Sequence, residues 1–298
     1  MIRHCSLALL LLLICPWFLL AQDKNAPKPP AGVIFQPDIE YGTAGGESLK
    51  LDLAMPEKLD KPVPCIVVIH GGAWRGGNKA GHIPQIFDFA KHGYVSVTVG
   101  YRFCPKHRFP AQVEDVKCAV RFLRANAEKY HIDKDRIGAI GFSAGAHLSM
   151  MLGVMGKEDG LEGTGGNQDQ SSKVQAVVAF FGPTEFNAKD LPAISVGLLN
   201  DFVGFTPEEN PDIRKQASPI TYVTKDDAPL LIFQGTKDPL VPHTQATVMA
   251  DAMTNAGVPG RVELLLGLGH GWGGQEIARS IHQTNEFFDL QFKHTPPK

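Results

Sequence analysis

The sequence predicts an α/β domain built on a mostly parallel, doubly wound sheet with helices on both faces. Three observations predict it. Short β-branched apolar runs alternate with amphipathic stretches along most of the 298 residues. The later runs are almost continuously apolar, as expected for strands covered on both faces. The first run, Val33 to Met55, instead reads as an antiparallel hairpin at the start of the sheet.

The elements follow in order. Leu7 to Leu20 is nearly unbroken in apolar residues and precedes Ala21-Gln22-Asp23 and a proline-rich stretch. It is shorter than the ~18 residues a spanning helix needs, so residues 1–21 read as a secretory signal peptide and 22–32 as a linker. Cys15 is a poor lipid-attachment site, because Ile14 precedes it and the apolar run continues beyond it. Residues 33–298 are then one domain, large enough for a continuous core. Its strand candidates are Ser48 to Ala54, Cys65 to His70, Val95 to Val99, Ile137 to Gly141, Val174 to Phe180, Leu230 to Gln234 and Val262 to Leu266. The clearest helix is Val113 to Tyr130, where Val116, Ala119, Val120, Leu123 and Ala127 form a stripe at spacings of three and four. Two stretches interrupt the alternation: the Gly-rich loop Gly160 to Ser172, and Thr184 to Lys215, which reads as a small lid.

Net charge is −2, with no basic stripe, so the composition does not point to nucleic acid; a small or neutral partner fits better. Beyond the leader only Cys65, Cys104 and Cys118 remain, an odd number without metal-ligand spacing. No disulfide framework follows, although a single Cys104–Cys118 bridge stays open. No cofactor or metal site is implied.

Gly141-Phe142-Ser143-Ala144-Gly145 is the chemically informative stretch. With 31 glycines in the chain, Gly-x-Ser-x-Gly arises by chance about once in ten such chains. Context decides. Ser143 stands where a predicted strand ends and a helix, Ala144 to Met155, begins, which is the strand-to-helix turn that exposes a serine nucleophile. A serine hydroxyl needs a base, and the base needs a carboxylate to hold its tautomer. In this arrangement they follow in the order Ser, acid, His, each after a strand. Asp238 follows Leu230 to Gln234 and His270 follows Val262 to Leu266, so Asp238 is the expected acid and His270 the expected base. Asp227 precedes its strand, Asp251 is helical and Glu263 lies within a strand. His147, four residues after Ser143, is expected to pack beside the site or to support its residues from behind, and His82, His92, His107, His131 and His243 read as surface residues. Gly71 and Gly72 follow the buried strand Ile66 to Ile69, where a second oxyanion-hole N–H belongs, the first being that of Ala144.

His-Gly-Gly-Ala-Trp at 70–74, Gly-Phe-Ser-Ala-Gly at 141–145, Gly-Thr-Lys-Asp at 235–238 and Gly-His-Gly at 269–271 resemble the α/β-hydrolase superfamily. The similarity covers roughly residues 35 to 295 and includes Tyr101-Arg102, Phe109 to Gln112 and Asp115. It points to the branch of hormone-sensitive-lipase-like esterases and bacterial acetylxylan or feruloyl esterases. Ala73, where the lipase-like enzymes carry a third glycine, together with Trp74, is closer to the acetylxylan and feruloyl group or to kynurenine formamidase. The resemblance implies a secreted or periplasmic serine carboxylesterase acting on short acyl esters, such as acetyl or feruloyl groups on polysaccharides. The rival readings are an amide hydrolase of formamidase or peptidase type, and a non-catalytic binding module on the same scaffold.

Overall fold

A computed structural model describes residues 27–297. The expected signal peptide and Cys15 lie outside the described residues. Strands β1 (Val33–Ala44) and β2 (Glu47–Pro56) form the expected antiparallel hairpin. They are followed by β3 (Val63–Ile69), β4 (Val95–Val99), β5 (Ile132–Phe142), β6 (Ala176–Phe180), β7 (Leu230–Gly235) and β8 (Gly260–Leu265). All eight make one sheet in the order β1-β2-β4-β3-β5-β6-β7-β8. β2 is antiparallel to β4, and every pairing from β4 to β8 is parallel.

The parallel pairings require crossovers, and helices supply them. These are α1 (Ile83–Lys91), α2 (Ala111–Ala125), α3 (Ala144–Val154), α4 (Ala193–Val203), α5 (Pro211–Gln216) and α6 (Thr244–Ala256); α7 (Gly274–Phe292) follows the last strand. Alternate strand residues feed two cores. Val67, Ile69, Val97 and Val99 join residues of α2, α3 and α6 on one face; Ile66, Val68, Ile140 and Val178 join residues of α1 and α7 on the other. All seven residues of β3 are buried. Each Val or Ile withdrawn from water there contributes roughly 1.5–3 kcal/mol, which makes the centre of the sheet a rigid platform.

The structure differs from expectation in several places. The long helix ends at Ala125 instead of Tyr130, where the chain turns into β5 five residues ahead of the expected strand. Helices α1 and α7 were not singled out, although Ile83, Ile86, Phe87 and Ala90 make a buried stripe at helical spacing on α1. β8 is an edge strand and only Leu265 in it is buried, so coverage on both faces holds for the middle of the sheet and not for this margin. Cys65, Cys104 and Cys118 are all free thiols in the interior, so the Cys104–Cys118 bridge is not made. The Gly160–Ser172 loop is pinned from below: Glu162 pairs with the fully buried Lys117 at 2.9 Å and with Arg121 at 2.5 Å. Among the described residues, no helix is long and apolar enough to cross a membrane.

Candidate active site

Ser143 sits at the carboxyl end of β5, one residue before α3, with φ 54° and ψ −118°. A non-glycine residue persists in that region only where its surroundings impose it. The imposition is steric. A Cβ on Gly141 would lie 2.1 Å from the Gly145 carbonyl oxygen, and one on Gly145 would lie 2.1 Å from that of Ile69. Only glycines let the strand, the turn and the helix approach this closely. The Ser143 N–H is tied to the Phe180 carbonyl at 2.9 Å, which anchors the turn to the neighbouring strand.

His270 arrives on the loop after β8 and Asp238 on the loop after β7. His270 Nε2 lies 2.9 Å from Ser143 Oγ, and Nδ1 lies 2.8 Å from Asp238 Oδ2. A carboxylate only accepts, so Nδ1 carries the proton and Nε2 is left to accept the serine hydroxyl proton. Asp238 is itself held: its Oδ1 accepts from the Leu240 and Val241 amides, both at 2.9 Å, and its Oδ2 from Gln234 Nε2 at 3.1 Å. Burial works against its charge, but the bonds from His270, Val241 and Leu240 outweigh that and hold the carboxyl below its ordinary range. Ser143, His270 and Asp238 thus form a continuous hydrogen-bonded chain with a charged carboxylate at its far end.

A cavity of about 400 Å³ opens over Ser143. Gly71, Gly72 and Ala144 form part of its wall, beside Ser143 and His270. A Cβ on Gly71 would come within 2.7 Å of the Phe142 carbonyl oxygen and 3.2 Å of Ser143 Cβ, so the loop can lie against Ser143 only as glycine. Ala144 opens α3, and the N–H groups of a first helical turn have no intrahelical acceptor, which suits them to a developing oxyanion. The rest of the wall is apolar: Trp74, Phe142, Phe181, Leu191, Leu198 and Val241. Its remaining polar side chain, Ser195, is spent, because Oγ donates to the Leu240 carbonyl at 2.6 Å.

Several of these residues escaped the sequence reading. Leu191, Ser195, Leu198 and Leu199 come from the 184–215 stretch and close one side of the cavity. Phe181, with φ 45°, sets its ring edge-on to His270 at 4.7 Å. Gln234 had a signal, being the one polar residue in the apolar run of β7. His82, His92 and His107 are half-buried and not the surface residues expected. His92 bonds Asp289 at 2.9 Å and His107 bonds Glu47 at 2.9 Å, partners too distant in sequence to be foreseen. His82 is half-buried and stacks on Phe142 at 4.9 Å. Among the described residues, no three His, Cys, Asp or Glu side chains group as metal ligands.

With this geometry in view, comparison with known proteins places the chain. The BD-FAE family model matches residues 51–253. Esterase LipQ of Mycobacterium tuberculosis is 32% identical over 225 residues, which are 74% of this chain and 53% of that protein. Esterase LipC of the same organism is 32% identical over 71% of this chain and 54% of its own length. The chain thus spans about half the length of these curated relatives. A solved structure described as a truncated carbohydrate esterase from gut microbiota superposes with a TM-score of 0.79 at 30% identity, covering 90% of this chain and all of that one. Thermogutta terrifontis esterase 2, solved as its sarin-phosphonylated form, superposes with a TM-score of 0.78 at 25% identity over 91% of this chain and 99% of its own. The chain belongs to the BD-FAE family, an esterase branch of the α/β-hydrolase superfamily.

Proposed function

We propose that the protein is a serine carboxylesterase in which Ser143 is the nucleophile, His270 the general base and then acid, and Asp238 the carboxylate that holds His270. The observation that carries this is the continuous relay from Ser143 Oγ through His270 to Asp238, at 2.9 and 2.8 Å, at the floor of an apolar cavity. Ser143 attacks the ester carbonyl as its proton passes to His270 Nε2. The oxyanion forms against the N–H of Ala144 and the Gly71-Gly72 loop, and the imidazolium then protonates the departing alcohol. Water, activated by the same imidazole, releases the acid and restores Ser143.

The substrate reading is an ester of a short or aromatic acyl group, acetyl or feruloyl on a polysaccharide. The similarity to a gut-microbial carbohydrate esterase supports the carbohydrate side. The cavity, at about 400 Å³, is far larger than an acetyl group and roomy enough for an aromatic acid. The apolar N-terminal stretch supports export to the periplasm or beyond, where such polysaccharides lie. The 184–215 stretch acts as the lid over this cavity. Ser143→Ala is expected to lower kcat about a million-fold with the fold intact; retained turnover of acetyl, butyryl and feruloyl esters in that variant would refute the reading. Faster release of product from formylkynurenine than from any ester would favour the amidase alternative.

A further inference from the structure

His147 lies one helical turn beyond Ser143 on α3 and is fully buried. Its ring is bonded on both sides. Nε2 lies 2.7 Å from the Ala217 carbonyl oxygen, just past α5, and Nδ1 lies 3.2 Å from Trp74 Nε1. These partners leave no choice of tautomer. A carbonyl only accepts and an indole N–H only donates, so the proton is on Nε2 and Nδ1 is the acceptor. Trp74 in turn closes the Gly71–Trp74 loop that walls the cavity. Ala73 and Trp74 both adopt left-handed backbone, φ 52° and 56°, a conformation that side chains other than glycine rarely hold without external restraint. The Trp74 ring also stacks on Phe202 of α4 at 4.3 Å.

We infer that His147 is a positioning residue for the oxyanion wall: it ties the α3 helix that carries Ser143 to the Trp74 end of the opposing glycine loop, and both to the segment that covers the cavity. The inference rests on the esterase reading above. A hydrogen bond from Trp74 restrains the loop only while Nδ1 has a free lone pair. Burial keeps it free, pushing the imidazole down to about 4, with the Ala217 carbonyl pulling weakly the other way. The ring packs among Trp74, Phe186 and Phe202, with centroids 5.3, 5.0 and 5.7 Å away.

The test compares His147→Leu, His147→Gln and Trp74→Phe in the full chain on p-nitrophenyl butyrate, with active sites counted by a fluorophosphonate probe taken to completion. Loss of the restraint lets the loop shift by a fraction of an ångström. His147→Leu and Trp74→Phe are each expected to lower kcat per titrated Ser143 by about ten-fold or more, with KM changed much less. The double variant is expected to be no slower than the slower single one, since both break the same bond. His147→Gln, whose amide can accept from Trp74 and donate to Ala217, is expected to recover most of the rate. A kcat within two-fold of wild type in Trp74→Phe, or a glutamine variant as slow as the leucine one, overturns the inference. If the leucine variant does not fold, the Trp74→Phe measurement still decides. Wild-type protein that neither labels nor hydrolyses esters refutes the esterase reading instead.

Discussion

Two histidines flank Ser143, and their partners give them opposite characters. His270 reaches it from a loop at the mouth of the cavity, with about one-fifth of its side chain exposed, between a carboxylate and a hydroxyl. His147 stands on the helix behind it, wholly enclosed, between a carbonyl and an indole. Each has one donor and one acceptor nitrogen. The difference lies in what a second proton meets. At His270 the neighbours are the Asp238 carboxylate and the Ser143 hydroxyl. At His147 a second proton on Nδ1 would leave the Trp74 indole N–H facing another donor. In the roles proposed above, the same side chain is a proton carrier in one setting and a fixed strut in the other.

Removing the charge behind His270 is the strongest way to break this contrast. Asp238→Asn keeps the shape but presents an amide where Nδ1–H needs an acceptor, so the ring is free to take the wrong tautomer. The expected loss is about ten-thousand-fold in kcat, measured as steady-state hydrolysis, with little change in melting temperature. A smaller effect sharpens it through pH. Because folding lowers the His147 pKa from 6.5 to about 4, the unfolded chain binds more protons between those values. Stability from this group is complete above about pH 6.5 and is lost as pH falls towards 4, amounting to about 3 kcal/mol. His147→Gln should flatten that part of the stability curve relative to wild type in urea melts at stepped pH; parallel curves would show that the ring is not held neutral. Asp238, also depressed, loses its contribution only as pH falls below its ordinary 3.8, so the two windows are separate. The smallest expected effect is thermodynamic. Trp74→Phe removes one buried donor and its bond, and should cost about 1 kcal/mol in a urea melt while the kinetic loss is larger.

The legibility of the site divides along similar lines. Ser143, Asp238 and His270 were readable because each follows an apolar run and the fold delivers the ends of parallel strands to one edge. Gly71, Gly145 and Gly141 were readable because close backbone approach excludes any other residue. His147 was readable as a packing or supporting residue beside the site, but not with which partners. Its partners, Trp74 and Ala217, are 73 and 70 residues away, and neither periodicity nor spacing carries such a distance. The cavity wall was equally hidden. Leu191 and Leu198 lie in a stretch that reads as a small lid, but its pattern does not say which of its residues reach the site; that arises from how the stretch folds back. Helix α7 packs beneath the sheet through Phe288 and Phe292, a face that its many polar neighbours obscure in sequence.

What the sequence by itself determined, then, is local: the strand-and-helix alternation, the glycine-lined turn at Ser143, and the order of the acid and the imidazole. These follow from backbone sterics and hydrophobic periodicity, which act over a few residues and are written in consecutive positions. What only the tertiary structure decided is which groups face one another across the sheet edge: the 2.8 Å contact that fixes the proton on His270, the apolar enclosure that keeps His147 neutral, and the size of the cavity. Those properties depend on distance and dielectric between segments far apart in the chain, and they come into being only when the core closes.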